Sequence, residues 1–343
     1  VRNNSTEWID IQKEFFYKLY IPTLKKHYLE GDVVIHCGDV FDAKQNINTL
    51  VMNEALDIVK SISDICPVYI MLGNHDLYRK NNNDINSCKF FRYMSGITLV
   101  DNTLTLDAVS NKKLFLMAWQ NTKQQQKDTL LSNMANYLFC HTDVNNIQYN
   151  SFIKITDGTP PAQFKNFDFT FTGHIHHRQE LGNSIFVMGS PYSMTMADVD
   201  NTKGFYLLDL ETDVFTFFEN TISPVFRKFD IFAIKDFRMD TLRKLFKNNF
   251  VSITTPVNLT SYVNTHRLNE LFPEAKKLTV KSYRLPTNQV GEILEKEDVQ
   301  PMSILEHIIN YTKSVHGKDE KTTKVLIDGF VELHNQALAM QTL

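Results

Sequence analysis

Pro67-Val68-Tyr69-Ile70-Met71-Leu72-Gly73-Asn74-His75-Asp76 is the stretch that decides the fold. Its first six residues form a near-continuous apolar run, the pattern of a parallel strand covered on both faces. Gly73 lets the backbone turn sharply where the strand ends. An amide, an imidazole and a carboxylate then follow at the place where open α/β sheets bind ligands. Three other strand-like runs end in the same way. Residues 33–37 lead into Gly38-Asp39-Val40-Phe41-Asp42, residues 137–140 into His141, and residues 167–172 into Gly173-His174-Ile175-His176. Four strand-then-ligand units in this order predict an α/β fold with a polar site on the C-terminal edge of its strands.

The flanking sequence supplies the helices such strands need. Trp8, Ile11, Phe15 and Leu19 recur at helical spacing after a Ser5/Thr6 cap, and Pro22 should kink or divide that helix. Residues 46–63 predict a second helix, so the chain opens helix, strand, helix, strand. Residues 97–100 and 114–118 read as strands, 120–128 as a surface helix or loop, and 142–165, with Pro160-Pro161, as a loop crossing the site. The polar stretch 79–84 is a solvated turn or a loop that touches a phosphate backbone. Beyond His176, short strands near 185–188, 205–208 and 214–218 alternate with turn residues and suggest a second sheet of hairpins, closing an α/β sandwich near Asn220. Residues 225–285, helix-like over 236–248 between strand-like runs at 250–254 and 278–283, suffice for a small α+β module. The polar, acidic stretch 286–301 reads as a linker. Two amphipathic helices follow, marked by Met302, Leu305, Ile308 and Ile309, then by Leu326, Phe330, Leu333 and Ala337, with Gly317 at the break.

Composition narrows the class. The 343 residues are 43% hydrophobic, yet no stretch approaches the ~20 apolar residues of a membrane span. The start, Val1-Arg2-Asn3-Asn4, does not resemble a signal peptide, and the four cysteines (Cys37, Cys66, Cys88, Cys140) lack CxxC spacing; both favour a reduced, cytoplasmic setting. A net charge of −3 gives no global attraction to nucleic acid, so any such contact rests on local basic groups.

Asp39, Asn74, His141, His174 and His176 form a mixed oxygen and imidazole donor set. Such a set suits manganese, iron, cobalt or zinc better than magnesium or calcium. On extended backbone, residues i and i+2 point the same way, so His174 and His176 should both face the site with Ile175 packed behind. Asp39 is the candidate bridge between two cations. A pair of ions ~4 Å apart can activate water and stabilise both oxygens of a displacement at phosphorus. His75, beside a ligand rather than one itself, is better placed as a proton donor to the leaving oxygen or a hydrogen bond to the phosphate. Asp42 and Asp76 read as braces of the ligand loops, and His36, His177 and His266 as structural histidines, His177 exposed.

These motifs resemble the calcineurin-like metallophosphoesterases, whose series runs GDxH, GDxxD, GNHD, a lone His, then GHxH; the last four occur here over roughly residues 33–210. Within that superfamily the chain is most similar to the SbcD-type (meiotic-recombination-eleven) nucleases, in the Gly38–Asp42 form of the second motif and in Gly189-Ser190-Pro191 after the last histidine. Its compact size and short cap look most like members from T-even-type phages. The resemblance implies a two-sheet α/β sandwich phosphoesterase domain over 1–222, a DNA-guiding α+β cap over 223–285, a linker over 286–300 and a helical tail over 301–343 that docks on an SbcC-type coiled-coil ATPase. It implies a homodimer that cleaves DNA phosphodiesters in recombination, replication and repair, at double-stranded ends or where single-stranded regions occur. Two divalent ions are implied, manganese first and magnesium second. Asp39 would bridge them, with Asn74, His141 and His174 on one and His176 on the other; His75 would be catalytic. Lys44, Arg79 and Lys80 are the candidate DNA contacts.

The GDxH motif is absent, which leaves the second ion with Asp39 and His176 alone. The expectation is that the native protein extends upstream by one strand and its loop, on the order of 10–15 residues, carrying an Asp-x-His pair. Two other readings use the same motifs. A small-molecule phosphoesterase would need neither cap nor helical tail. A metal-free scaffold would not be expected to keep Asn74, His75, His141, His174 and His176 together.

Overall fold

The apolar run of residues 67–72 becomes the centre of a three-stranded parallel sheet: β2 (Val68–Met71) lies between β1 (Val34–His36) and β5 (Ile97–Val100). The structure, a computed structural model, describes residues 5–42, 46–79, 81–108, 111–150, 153–182, 184–257, 263, 265–283, 308–310, 312–313 and 323–332. Lys44, Lys80, the expected linker, the side chain of His266 and most of the tail, Leu305, Leu333 and Ala337 included, lie outside the described residues. Residues 323–332 are helical.

The opening helix follows its apolar spacing with one surprise. α1 (Thr6–Phe15) passes through a π-helical turn, Phe16–Tyr20, into α2 (Ile21–His27). Pro22 sits in the first turn of α2, so the widened turn just before it absorbs the missing N–H and the ring, where the sequence suggested a kink or break. Ile9, Ile11 and Phe15 are buried. Trp8 is not part of that core face; its ring stacks on Phe250 and Phe226, 5.5 and 6.3 Å between centroids. α3 (Thr49–Ser63) is capped by the Asn48 side chain, which accepts from Leu50 N–H, and buries Val51, Ile58 and Ile62.

A second, mixed sheet has the order β10-β11-β9-β8-β7-β6. Its centre is parallel: β7 (Lys113–Met117), β8 (Ala135–Cys140), β9 (Phe167–Thr172) and β11 (Ile185–Val187). β6 (Thr103–Asp107) and β10 (Gln179–Leu181) pair antiparallel at the edges. The period of two sorts the side chains. Leu114, Leu116, Tyr137, Phe139 and Phe171 join the core shared with Ile70, Met71 and Leu72 of the first sheet. Phe115, Met117, Leu138 and Cys140 meet a separate cluster with Val144, Ile147 and Phe164 on the far face. The result is the expected two-sheet α/β sandwich.

Two local expectations are corrected and a third is made specific. Residues 79–84 are not a simple loop: β3 (Leu77–Arg79) and β4 (Asn82–Asn86) form an antiparallel hairpin. Asn83 holds it down by donating to the carbonyls of Asp101 and Trp119. The strands after His176 do not make one separate sheet of hairpins: β10 and β11 form a hairpin that joins the large sheet, β11 adding parallel to β9, while β12 (Gly204–Asp209) and β13 (Val214–Glu219) pair as a hairpin of their own. The polar run from residue 120 leads into α4 (Lys123–Ser132), whose buried Gln126 donates to Thr142 and Thr159, pinning the long segment 142–165 from inside.

Further on, β14 (Phe226–Asp230), β15 (Phe250–Pro256) and β16 (Lys277–Tyr283) form a parallel three-stranded sheet. With α5 (Ile231–Ile234), α6 (Met239–Phe246) and α7 (Thr265–Leu271) it encloses a core of its own: Ile234, Phe246, Val251, Ile253, Phe272 and Leu278. The helix expected over 236–248 is shorter, Met239–Phe246.

Candidate metal centre

Two strands of each sheet deliver the site. β1 and β2 end in the loops of Asp39 and Asn74, β8 and β9 in those of His141 and His174. Asp39 and His174 adopt left-handed backbone, φ 58° and 74°, which non-glycine residues rarely take. Glycine is required behind them. A Cβ on Gly73 would overlap the main-chain nitrogen and the carboxylate of Asp39, and one on Gly38 (φ 89°) would overlap the His141 ring.

The ligand loops of β1 and β2 are tied by one buried carboxylate. Asp76 Oδ2 accepts the N–H groups of Gly73 and Asp39, each at 2.9 Å, and Oδ1 accepts that of Phe41 at 3.1 Å. Burial, with Asp39's charge adding, pushes the Asp76 carboxyl up to about 6. Asp39 Oδ1 in turn accepts the His75 N–H at 2.8 Å.

Four donor atoms converge. His141 Nε2 is 3.2 Å from Asp39 Oδ2 and 3.1 Å from Asn74 Oδ1, and His174 Nδ1 is 2.9 Å from the same amide oxygen. The ligand atoms of Asp39, His141 and His174 all lie within 4.8 Å of one another. His141 Nδ1–H donates to the Cys37 carbonyl at 2.6 Å, which leaves Nε2 to face the two oxygens. A neutral imidazole there sets lone pair against lone pair, and only a proton or a cation relieves it. Burial lowers the His141 pKa, but the Asp39 charge and hydrogen bond outweigh it and the net shift is upward. The Asp39 carboxyl would be raised by burial, yet His141 holds it well below the usual carboxylate range. Burial and the His141 charge push His174 down to about 3, so it is neutral and free to ligate. The donor set therefore fits a divalent ion: a carboxylate, an amide oxygen and two imidazoles, with ring orientation fixed by a hydrogen bond from the opposite nitrogen of His141.

His75 stands apart from this cluster. Its side chain is 41% exposed, and Nδ1 lies 2.9 Å from the Asp42 carbonyl oxygen, which turns Nε2 away. Asp42 thus braces His75 through its main chain. His176 is exposed and does not join Asp39, His141 and His174. Its expected pairing with His174 assumed extended backbone, and His174 is left-handed. His177 is half-buried rather than exposed, and Arg79 is exposed at the end of β3. Trp119, unremarked in the sequence, follows β7 and sets its ring 5.3 Å from that of His174 and 6.2 Å from that of His141. Its place after a strand was the available signal, but indole offers no ligand atom and so drew no attention.

Residues 10–178, which contain every group of this cluster, match the calcineurin-like phosphoesterase family. The chain is similar to exonuclease subunit 1 of Enterobacteria phage T4, 25% identical over 190 residues, 54% of this chain and 55% of that protein. It is also similar to the DNA double-strand break repair protein Mre11 of Methanococcus maripaludis, 26% identical over 227 residues, 60% of this chain and 59% of that one. A component of the nuclease SbcCD of Staphylococcus epidermidis matches at 22% over 349 residues, 89% of this chain and 90% of that protein. The chain thus spans less than two thirds of the phage and archaeal relatives' own length. Among the described residues no helix is long and apolar enough to cross a membrane.

Proposed function

We propose that residues 10–178, which match the calcineurin-like phosphoesterase family, form the catalytic part of a metal-dependent DNA nuclease. The observation that carries this reading is the convergence of Asp39, Asn74, His141 and His174 on one point, with the half-buried His75 beside it. Divalent ions, when bound, would activate water and neutralise charge developing on the phosphate. The chain's own groups do the rest. Asp39, Asn74, His141 and His174 would hold one ion, and Asp39 and His176 would contribute to a second. His75, its Nδ1–H donated to the Asp42 carbonyl, presents Nε2–H to the leaving oxygen when the ring is charged. Trp119 covers the imidazole of His174 and limits water on that side.

Manganese, with magnesium second, is the cation the resemblance to the SbcD-type nucleases implies; the imidazole-rich donor set by itself would also take iron, cobalt or zinc. DNA is the proposed substrate because the relatives' names are those of an exonuclease, a double-strand-break repair protein and a nuclease component. Residues 223–285 would guide the duplex, and residues 301–343 would dock on a coiled-coil ATPase partner, with a homodimer acting in the cytoplasm. Arg79, together with Lys44 and Lys80, would contact the phosphate backbone. The test is release of nucleotides from end-labelled duplex DNA with manganese, set against hydrolysis of a small phosphate diester. Cleavage of DNA that requires manganese supports the reading. Turnover of the small ester alone makes the protein a small-molecule phosphoesterase, and turnover of neither makes it a scaffold.

A further inference from the structure

A buried ion pair lies behind the exposed His176, and nothing in the metal cluster requires it. Lys203 and Asp198, 4% and 5% exposed, pair Nζ to Oδ1 at 2.6 Å. Lys203 Nζ also donates to the carbonyl of His176 at 2.5 Å, and the Ser190 N–H donates to that same carbonyl at 3.2 Å. The other carboxylate oxygen, Asp198 Oδ2, accepts the N–H groups of Met194 and Thr195, both at 2.9 Å. Asn201 grips the next turn of chain: Oδ1 accepts the Arg178 N–H at 2.9 Å, and Nδ2 donates to the Arg178 carbonyl at 3.1 Å. Gly189, at φ 73°, lets this collar close, because a Cβ there would sit 3.0 Å from the His176 carbonyl oxygen and 2.9 Å from Arg178 N.

Desolvating two charges is costly, and apolar residues of similar volume would fill the same space without that cost. An apolar pair, however, could not hold a carbonyl. The ammonium spends its protons on a carboxylate that is itself fixed by two N–H groups and on the main chain of His176. The imidazole of His176 is solvent-exposed while its backbone is clamped, so the direction of that ring is set from behind.

We propose that the Asp198–Lys203 pair is a positioning element for His176, fixing the backbone from which its imidazole reaches an ion. The proposal rests on the reading of His176 as a ligand. Neither Asp198 nor Lys203 touches an ion or substrate; both act through the His176 carbonyl.

The test is manganese titration by calorimetry of five proteins: the parent, His176→Ala, Lys203→Met, the double variant Lys203→Met/Asp198→Asn, and that double variant combined with His176→Ala. The double variant leaves no unpaired buried charge and keeps an acceptor for Met194 and Thr195, so it serves if Lys203→Met alone fails to fold. The expected result is a ~10–100-fold weaker affinity at one class of site in the double variant, the size of effect seen when a ligand's support is removed. The site of Asp39, His141 and His174 should titrate as in the parent. Introducing the double change into His176→Ala should cost nothing more at that site, since the pair acts only through the ligand already removed. If His176→Ala weakens one class of site and the double variant does not, the positioning role is wrong while the ligand reading stands. If His176→Ala changes nothing, both fall. A fall in thermal midpoint with manganese binding intact makes the pair structural only and overturns the proposal.

Discussion

Gly73→Ala places a methyl group against the loop that carries Asp39, and its cost can be worked from the structure. Gly73 is not among the glycines with positive φ, so alanine there is conformationally allowed. On backbone grounds alone the substitution should stabilise by ~0.4–1 kcal/mol, by restricting the unfolded chain. Packing acts the other way. The added Cβ would overlap the Asp39 main-chain nitrogen and Oδ1, with Cγ at 2.8 Å. A main-chain nitrogen cannot swing aside as a flexible side-chain tip can, and Asp76 also holds that nitrogen. Overpacking of this kind costs ~1–3 kcal/mol, so a net loss of up to about 2.6 kcal/mol is expected in urea unfolding. Displacing Asp39 should also weaken manganese binding at least ~10-fold, equivalent to ~1.4 kcal/mol. Gly329→Ala is the control: nothing lies within 4 Å of a Cβ there, and the residue is helical, so a gain of ~0.5–1 kcal/mol with unchanged metal binding is expected. Equal stability and equal manganese affinity in Gly73→Ala and the parent would refute the close approach of the two ligand loops.

Two further outcomes follow from the same geometry. His75→Ala should keep manganese binding and lower turnover ~10²–10⁴-fold, as loss of a proton donor does, whereas His174→Ala should weaken binding itself; calorimetry showing the reverse pattern would exchange the two roles. The His141 pKa is raised, so near and below it the metal-free site holds a proton that an incoming cation must displace. Manganese affinity should therefore fall as pH drops through that range and level off above it, and titration near pH 7 in buffers of different ionisation enthalpy should show proton release. Affinity independent of both pH and buffer would sink this assignment.

The strand ends were legible because their chemistry is local. A glycine after an apolar run, followed by a donor residue, names a position without any knowledge of the partner strand, and Asp39, Asn74, His141 and His174 were found that way. What brought them into one cluster is long-range: the pairing of β1 with β2 and of β8 with β9 in two different sheets. His176 shows where a periodicity argument stops, since one left-handed residue, His174, breaks the alternation it relies on. The hairpin of β3 and β4 was hidden because β4 is mostly Asn and Asp, which strands disfavour, and it is held by Asn83 reaching Asp101 and Trp119, contacts invisible in a local window. β14 was hidden by Arg227 and Lys228 in its middle, and the Asp198–Lys203 pair by the ordinary look of two charges in a polar stretch.

The central claim is that the strand-end cluster is a metal centre built from Asp39, Asn74, His141 and His174. Anomalous scattering at the manganese edge, from crystals grown with manganese, tests it most directly. The account predicts a strong peak within coordination distance of the Asp39 carboxylate, the Asn74 amide oxygen, His141 Nε2 and His174 Nδ1, and none in crystals of His174→Ala. Absence of a peak there in the parent protein, or a peak at that same position that survives His174→Ala undiminished, would contradict it.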